Sequence, residues 1–512
     1  MTKLKTLSTV KKFFPENKQK WLIYMKYSLP VIFSALLFSL NGFVDNFMVT
    51  HIANGVTSLS YANAWSGIIA GIVGGINFVG YVITGQYIGA NKINRVKEIV
   101  RLRFLISFAS TLIFVFFGIF MSRQLVMLFA AEPETGNLTG IALEQIQNEF
   151  KQTIDNSVKY LRLITIAWII LSWTSPLSSL LNETGNGKWG MYSSIVSLLT
   201  NIFLNIILMR VLNMGVEGAA YASIAARIVA VFGDTYFVYK RIPNFLINPL
   251  TSYKISRKIW KHFLKRSYAS LMVSSLTIMI IFRAKFFNTA YPQGSMGDPQ
   301  WALSAALVLG LTSSISEIFT TTFFAIGSNV TLFVGQLLGK REFDQAKKNA
   351  NELKGFHTMV AFLFSLLLII LIFIIPHISG IDQAVGEHLK ITEQLKAKAF
   401  YRFELQMTLV TIVILNPFWM WFVTSSRLIS SGGKANLSST MEIICEIIVI
   451  CWAAIVCLLI VPATNIPLYQ AYFLFFLGDF VKLIIYESVY FRVDWARHID
   501  DYKYNRSKMK PE

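Results

Sequence analysis

Acidic residues are scarce in this 512-residue chain. There are 28 Asp and Glu against 47 Lys and Arg, and the four types together make up only 15% of it. Soluble domains carry about 25%, so this chain is too apolar to close around one soluble core. Cysteine is scarcer still: Cys445, Cys451 and Cys457 share a single apolar run, which offers neither a disulfide framework nor a metal knuckle. The six histidines are scattered. The chain also lacks a phosphate loop, a paired-His zinc motif and a nucleophile elbow. These gaps exclude the common soluble enzymes, and an integral-membrane enzyme would need clustered ligands that are missing. Without an ATP-binding motif or a cofactor site, the energy source for any transport is an ion gradient.

Apolar surface is what the chain does have. It is 54% hydrophobic, with 41 Phe and 11 Trp and a mean hydropathy of +0.53. About 20 mostly apolar residues cross a bilayer as a helix. Runs of this kind at 27–49, 60–87, 102–130, 156–182, 190–212, 216–240, 264–288, 302–338, 355–376, 399–426, 438–461 and 468–491 predict an all-α integral membrane protein of twelve transmembrane helices. The second and eighth are long enough to project from the membrane.

The net charge of +19 does not mark a nucleic-acid partner, because the basic residues sit in short loops between apolar runs. Lys92, Arg95, Lys97, Arg101 and Arg103 follow the second span. Lys254, Arg257, Lys258, Lys261, Lys265 and Arg266 follow the sixth, and Lys340, Arg341, Lys347, Lys348 and Lys354 follow the eighth. The opposite loops are acidic or uncharged, as in 131–155 with Glu132, Glu134, Glu144, Glu149 and Asp155. Basic loops stay in the cytoplasm, so both termini are expected inside. The N-terminal tail (Lys3, Lys5, Lys11, Lys12) is not a cleavable signal, because the apolar run after it is too long. The expected location is the plasma (inner) membrane. Usage rich in Lys, Asn, Phe and Ile points to a bacterial source.

An internal repeat is visible. Gly85, Gln86 and Gly89 close span two, and Gly335, Gln336 and Gly339 close span eight at an offset of 250. Thr184, Gly185 and Asn186 follow span four as Ser431, Gly432 and Gly433 follow span ten. Gly233 and Asp234 in span six match Gly478 and Asp479 in span twelve at an offset of 245. Two six-helix bundles follow, related by a pseudo-two-fold axis along the membrane normal, with a substrate site near the midplane. The expected boundaries are a tail at 1–26, a bundle at 27–241, a connector at 242–263 carrying Pro243 and Pro249, a bundle at 264–491 and a tail at 492–512.

Several motifs recur in one order along nearly the whole chain. Asn41, Gly42, Phe43, Val44, Asp45 and Asn46 end span one, and Gly85, Gln86, Gly89 and Ala90 end span two. Asn201 and Asn205 lie in span five, followed by Gly215, Gly218, Ala219, Ala220, Ala222 and Ser223. This order resembles the multidrug and toxic compound extrusion (MATE) family. The resemblance implies an antiporter in which a small amphiphilic or cationic substrate leaves as H⁺ or Na⁺ enters, with coupling at the span-one acid; the expected working unit is a monomer. A lipid-linked glycan flippase of the same superfamily is the alternative, but few basic residues lie at membrane depth.

Asp45 is the leading ion-coupling candidate, since an acid at membrane depth costs roughly 2.5–3.5 kcal/mol on insertion scales and marks an ion path. Asn201 and Asn205 are four apart and share one helix face; they and Ser223 add neutral oxygen donors for Na⁺ or a protonated acid. The alternative for these three is interhelical packing. One branch of the family carries a second acid at the position of Asn205, which is absent here. Another carries Glu in span seven, and 267–277 holds no carboxylate. Glu317, Glu404 and Gln86 are substrate-binding candidates. Asp479 and Lys482 are spaced for an ion pair, as are Arg227 and Asp234 on one face of span six. Pro176 and Pro417 interrupt the equivalent spans four and ten.

Overall fold

The computed structural model describes residues 12–499, apart from 53–54, 131–140, 248–252, 293, 302, 379, 383–384 and 387–388. Lys3, Lys5, Lys11, Glu132, Glu134 and Pro249 therefore lie outside the described residues, as do the side chains of 267–278 and of Glu149. The described chain is helical almost throughout. In order come α1 (Lys18–Met48), α2 (Gly55–Gly89), α3 (Ile93–Phe120), α4 (Ile141–Glu183), α5 (Gly187–Asn205), α6 (Val216–Arg241) and α7 (Arg257–Ala290). Then follow α8 (Ala305–Phe319), α9 (Thr322–Val330), α10 (Phe343–Ile374), α11 (Ile391–Ile429), α12 (Ala435–Ile455), α13 (Leu468–Leu477) and α14 (Phe480–Arg492).

Nine helical stretches among the described residues are long and apolar enough to cross a membrane, and α8 and the 325–339 segment are shorter apolar helices. The protein is thus an all-α, multi-pass membrane protein. The longest stretch, Ile391–Thr464, is not straight. Gly433 adopts φ 88° between α11 and α12, a left-handed conformation that glycine reaches without strain. The Ser438 hydroxyl then donates to the Ser426 carbonyl at 3.0 Å. Twelve residues of straight helix would hold those groups about 18 Å apart, so the chain turns back here.

The span expected at 302–338 is broken between α8 and α9 at Thr320 and Thr321, and a wide turn at Thr331–Gly335 follows α9. Pro176 and Pro417, in contrast, lie inside continuous helices rather than interrupting them. Several supposed loop cations also belong to helices. Arg103 lies in α3 and Lys354 in α10, both fully buried. Arg103 pairs with Glu183 at 2.6 Å and reaches the Thr84 hydroxyl at 2.7 Å; Lys354 pairs with Glu487 at 2.6 Å between the Trp421 and Tyr490 rings. Gly80 makes room for Arg103, since a Cβ there would overlap the guanidinium.

Buried apolar residues separate by position in the chain. One cluster runs from Met279 to Ala496 and adds only Tyr24, Val31 and Ile32 from the first half. A second lies wholly within Val49–Ile224. A third spans Ile76–Phe263 and adds Ala435 and Ile499.

The repeated glycine motifs meet each other where the basic segments gather. A Cβ on Gly89 would overlap the Gln336 carbonyl oxygen, and one on Gly339 would overlap that of Gln86. The Gln86 amide donates to the Ser431 and Arg497 carbonyls at 2.9 and 3.2 Å, and the Gln336 amide to the Glu183 carbonyl at 3.3 Å. Each glutamine thus reaches across to the other half. The start of α1 crosses as well: Lys20 and Tyr24 bind Glu352 of α10 at 2.7 and 2.9 Å, and Glu16 binds Lys348.

Candidate functional site

Asp45 lies near the end of α1 and is 3% exposed. Three side chains from two other helices converge on it. Asn205 and Asn201 of α5 donate through their amides to Oδ1 at 2.7 and 3.0 Å. Ser223 of α6 donates its hydroxyl to Oδ2. The two asparagines stack one helical turn apart, with the Asn205 amide also donating to Asn201 Oδ1 at 3.1 Å. All of these partners are buried. Three donors thus satisfy a single carboxylate inside an apolar body.

Arg227 adds a positive charge from α6, acting on Asp45 and on Tyr160 of α4. Its guanidinium lies over the Phe38 ring, 5.4 Å from the centroid. The expected pairing of Arg227 with Asp234 is therefore replaced. Arg227 turns to the Asp45 side, and the polar neighbour of Asp234 is Ser193, whose hydroxyl donates to the Ala230 carbonyl at 3.0 Å. The four-residue spacing from Ser223 to Arg227 was the available signal, since it places both on one face of α6.

Asn205 Oδ1 is buried and has no hydrogen-bond partner among the described residues. An orphaned carbonyl oxygen beside a carboxylate is suited to a monovalent cation or to the hydrogen of a protonated acid. The donor set of one carboxylate, two amides and one hydroxyl is all oxygen once the amides turn, which fits a hard ion.

The remaining candidates are not part of this cluster. Gln86 is 1% exposed, and its amide is committed to the crossing contacts described above. Glu404 of α11 accepts the Tyr469 backbone N–H at 3.0 Å at the first turn of α13, a favourable place for a carboxylate. Glu317 of α8 is exposed, and the charge acting on it is Arg283 of α7. Asp479 and Lys482 do pair, at 2.9 Å, and Glu446 joins them at 2.7 Å. Among the described residues, no group of three or more His, Cys, Asp or Glu is arranged to hold a metal.

The MatE family model matches residues 30–207 and 301–395, just over half of the chain. No curated protein sequence matches. Solved structures share the fold. One is a multidrug-resistance MATE transporter of the MOP superfamily in an outward-facing conformation, at 16% identity and TM-score 0.67, with 98% of this chain and 99% of that one covered. A second is a MOP superfamily transporter from Pyrococcus furiosus whose binding pocket has reversed polarity. It matches at 16% identity and TM-score 0.68 over 96% and 98%. A third is a MATE protein in a bent conformation, at 17% identity and TM-score 0.66 over 97% and 99%. The chain belongs to the MATE family.

Proposed function

We propose that this MATE-type secondary-active transporter exports small amphiphilic or cationic molecules in exchange for H⁺ or Na⁺ bound at Asp45, Asn201, Asn205 and Ser223. The observation that carries the reading is the convergence of three helices on one buried carboxylate with an orphaned carbonyl oxygen beside it. An acid held at this depth by neutral donors can take up one monovalent cation and lose it again.

The wider architecture belongs to the same proposal. Twelve spans form bundles at 27–241 and 264–491, joined by 242–263, with tails at 1–26 and 492–512. The turn at Gly433 and the separation of the apolar clusters support it. Both tails lie in the cytoplasm of a bacterial plasma membrane, and the monomer is the working unit. The reciprocal contacts of Gly85–Gly89 with Gly335–Gly339 close the cytoplasmic face, and rocking of the halves opens it. An ion drives that change only through different affinity for the two states. Glu317 and Arg283 are candidates for substrate contact.

Efflux of a fluorescent organic cation from vesicles containing the full chain is the test. Efflux should follow an imposed pH or Na⁺ gradient. Efflux indifferent to both gradients would overturn the coupling.

A further inference from the structure

The second half of the chain holds a buried charged cluster that coupling at Asp45 does not use. Helix α12 brings Glu442 and Glu446 one turn apart, with Cys445 between them. Asp479 stands at the break between α13 and α14, and Lys482 and Tyr486 follow on α14. Lys482 bridges Glu446 at 2.7 Å and Asp479 at 2.9 Å, and the Trp419 indole donates to Asp479 at 3.0 Å. Glu442 stands apart from this bridge. It accepts the Ser426 hydroxyl at 3.2 Å and feels the charge of Arg427 at the foot of α11 and, after it, that of Lys482, with no ion pair to either.

Charge counting leaves the cluster incomplete. Three carboxylates (Glu442, Glu446 and Asp479) face two cations, Lys482 and Arg427. Arg427 is drawn partly away over the Phe78 ring of α2, 4.3 Å from the centroid. These are the charged groups facing the cluster among the described residues, and one negative charge remains in excess. An uncompensated buried charge is costly. A second sign comes from Tyr486. The residue is 1% exposed and feels the charges of Glu442 and Glu446, and its hydroxyl has no hydrogen-bond partner among the described residues.

The internal repeat gives the cluster its counterpart. At the offset of 245 that relates Asp234 to Asp479, Ser193 falls on Ser438, Ser197 on Glu442 and Asn201 on Glu446. The face of α5 that presents amides to Asp45 thus corresponds to the face of α12 that carries two carboxylates. The acid has moved from the first helix of the half to the fifth.

We infer that Glu442, with Ser426 and Tyr486, is a second proton-binding site of the protein, in its C-terminal half. Lys482 pairs directly with Glu446 and Asp479, and Glu442 is the carboxylate of the cluster without an ion pair among the described residues, so the exchangeable proton is assigned to Glu442. There it turns the carboxylate from an acceptor into a donor. The inference concerns proton binding alone and rests on the exporter reading only for what the proton is used for.

Infrared difference spectra of the purified full-length protein, titrated across pH, read the protonated carboxyl band directly and require no transport. We expect the Glu442→Gln variant to lose a band that Asp45→Asn retains. Ser426→Ala removes a donor to the carboxylate, so it should raise the midpoint of that band by about half to one pH unit. It also serves if Glu442→Gln does not fold. Identical band sets in the wild type and Glu442→Gln would overturn the site, as would an unmoved midpoint in Ser426→Ala or displacement of the band by Na⁺ at constant pH. Coupled efflux that fails while the band behaves as expected would count against the exporter reading and leave the site standing.

Discussion

Around Asp45 the direct partners are neutral: two amides and a hydroxyl, with Arg227 acting through its charge. Around Asp479 and Glu446 the shared partner is an ammonium, supplied by Lys482 of the same chain, with the Trp419 indole added at Asp479. Both arrangements keep a carboxylate at membrane depth. Neutral donors leave the charge available to a mobile ion, whereas an internal ammonium occupies it permanently. The comparison teaches that the position of an acid in a span says less about its use than the identity of its nearest partner does.

The comparison can be broken by changing the partners. Lys482→Met strips Glu446 and Asp479 of their cation and should destabilise the fold by about 3–5 kcal/mol, seen as a fall in thermal unfolding temperature. The triple variant that adds Glu446→Gln and Asp479→Asn should recover most of that loss. A similar loss of about 3–5 kcal/mol is expected for Arg103→Ala, which leaves Glu183 buried and unpaired. Asn205→Ala, which removes a neutral donor, should cost less, about 1–3 kcal/mol. It should also weaken the apparent affinity for the coupling ion in a concentration series. If Asn205→Ala destabilises as much as Lys482→Met, the distinction between the two clusters fails.

A smaller effect is expected at the crossing contacts. Gly89→Ala and Gly339→Ala each place a methyl group against a carbonyl of the other half. They should shift the equilibrium away from this closed contact between the halves by about 1–3 kcal/mol. Pulsed electron paramagnetic resonance between labels on the two halves reads that shift. The smallest effect concerns Glu16, whose carboxyl is held below its ordinary value mainly by a hydrogen bond from Lys348. A lowered carboxyl contributes above its unfolded pKa, and the contribution fades as pH falls through the folded value. The N-terminal segment should therefore become more open to proteolysis in acid, and Glu16→Gln should remove that pH dependence.

Much of this arrangement was legible in the sequence. Asp45, Asn201, Asn205 and Ser223 were singled out by depth, spacing and family resemblance, and the structure brings their side chains together. The Gly-Gln-x-x-Gly repeat was legible as a repeat. Its reciprocal docking was not, because glycine carries no sign of what approaches it. Arg103 and Lys354 were read as loop charges because a span is recognised by its apolar run, and helices α3 and α10 begin well before theirs. Gln86 sat in a family motif, yet its amide serves the contact between halves. The break at Thr320 left no sequence sign, whereas the prolines that did stand out are absorbed by continuous helices.

The central claim is best tested by the Asp45→Asn variant in vesicles, under an imposed inward H⁺ or Na⁺ gradient, with outward movement of a fluorescent cation followed over time. The wild-type protein should respond to at least one of the two gradients. The variant should respond to neither while unfolding at a temperature close to that of the wild type. A variant that follows the gradient as the wild type does would contradict the assignment of ion coupling to Asp45.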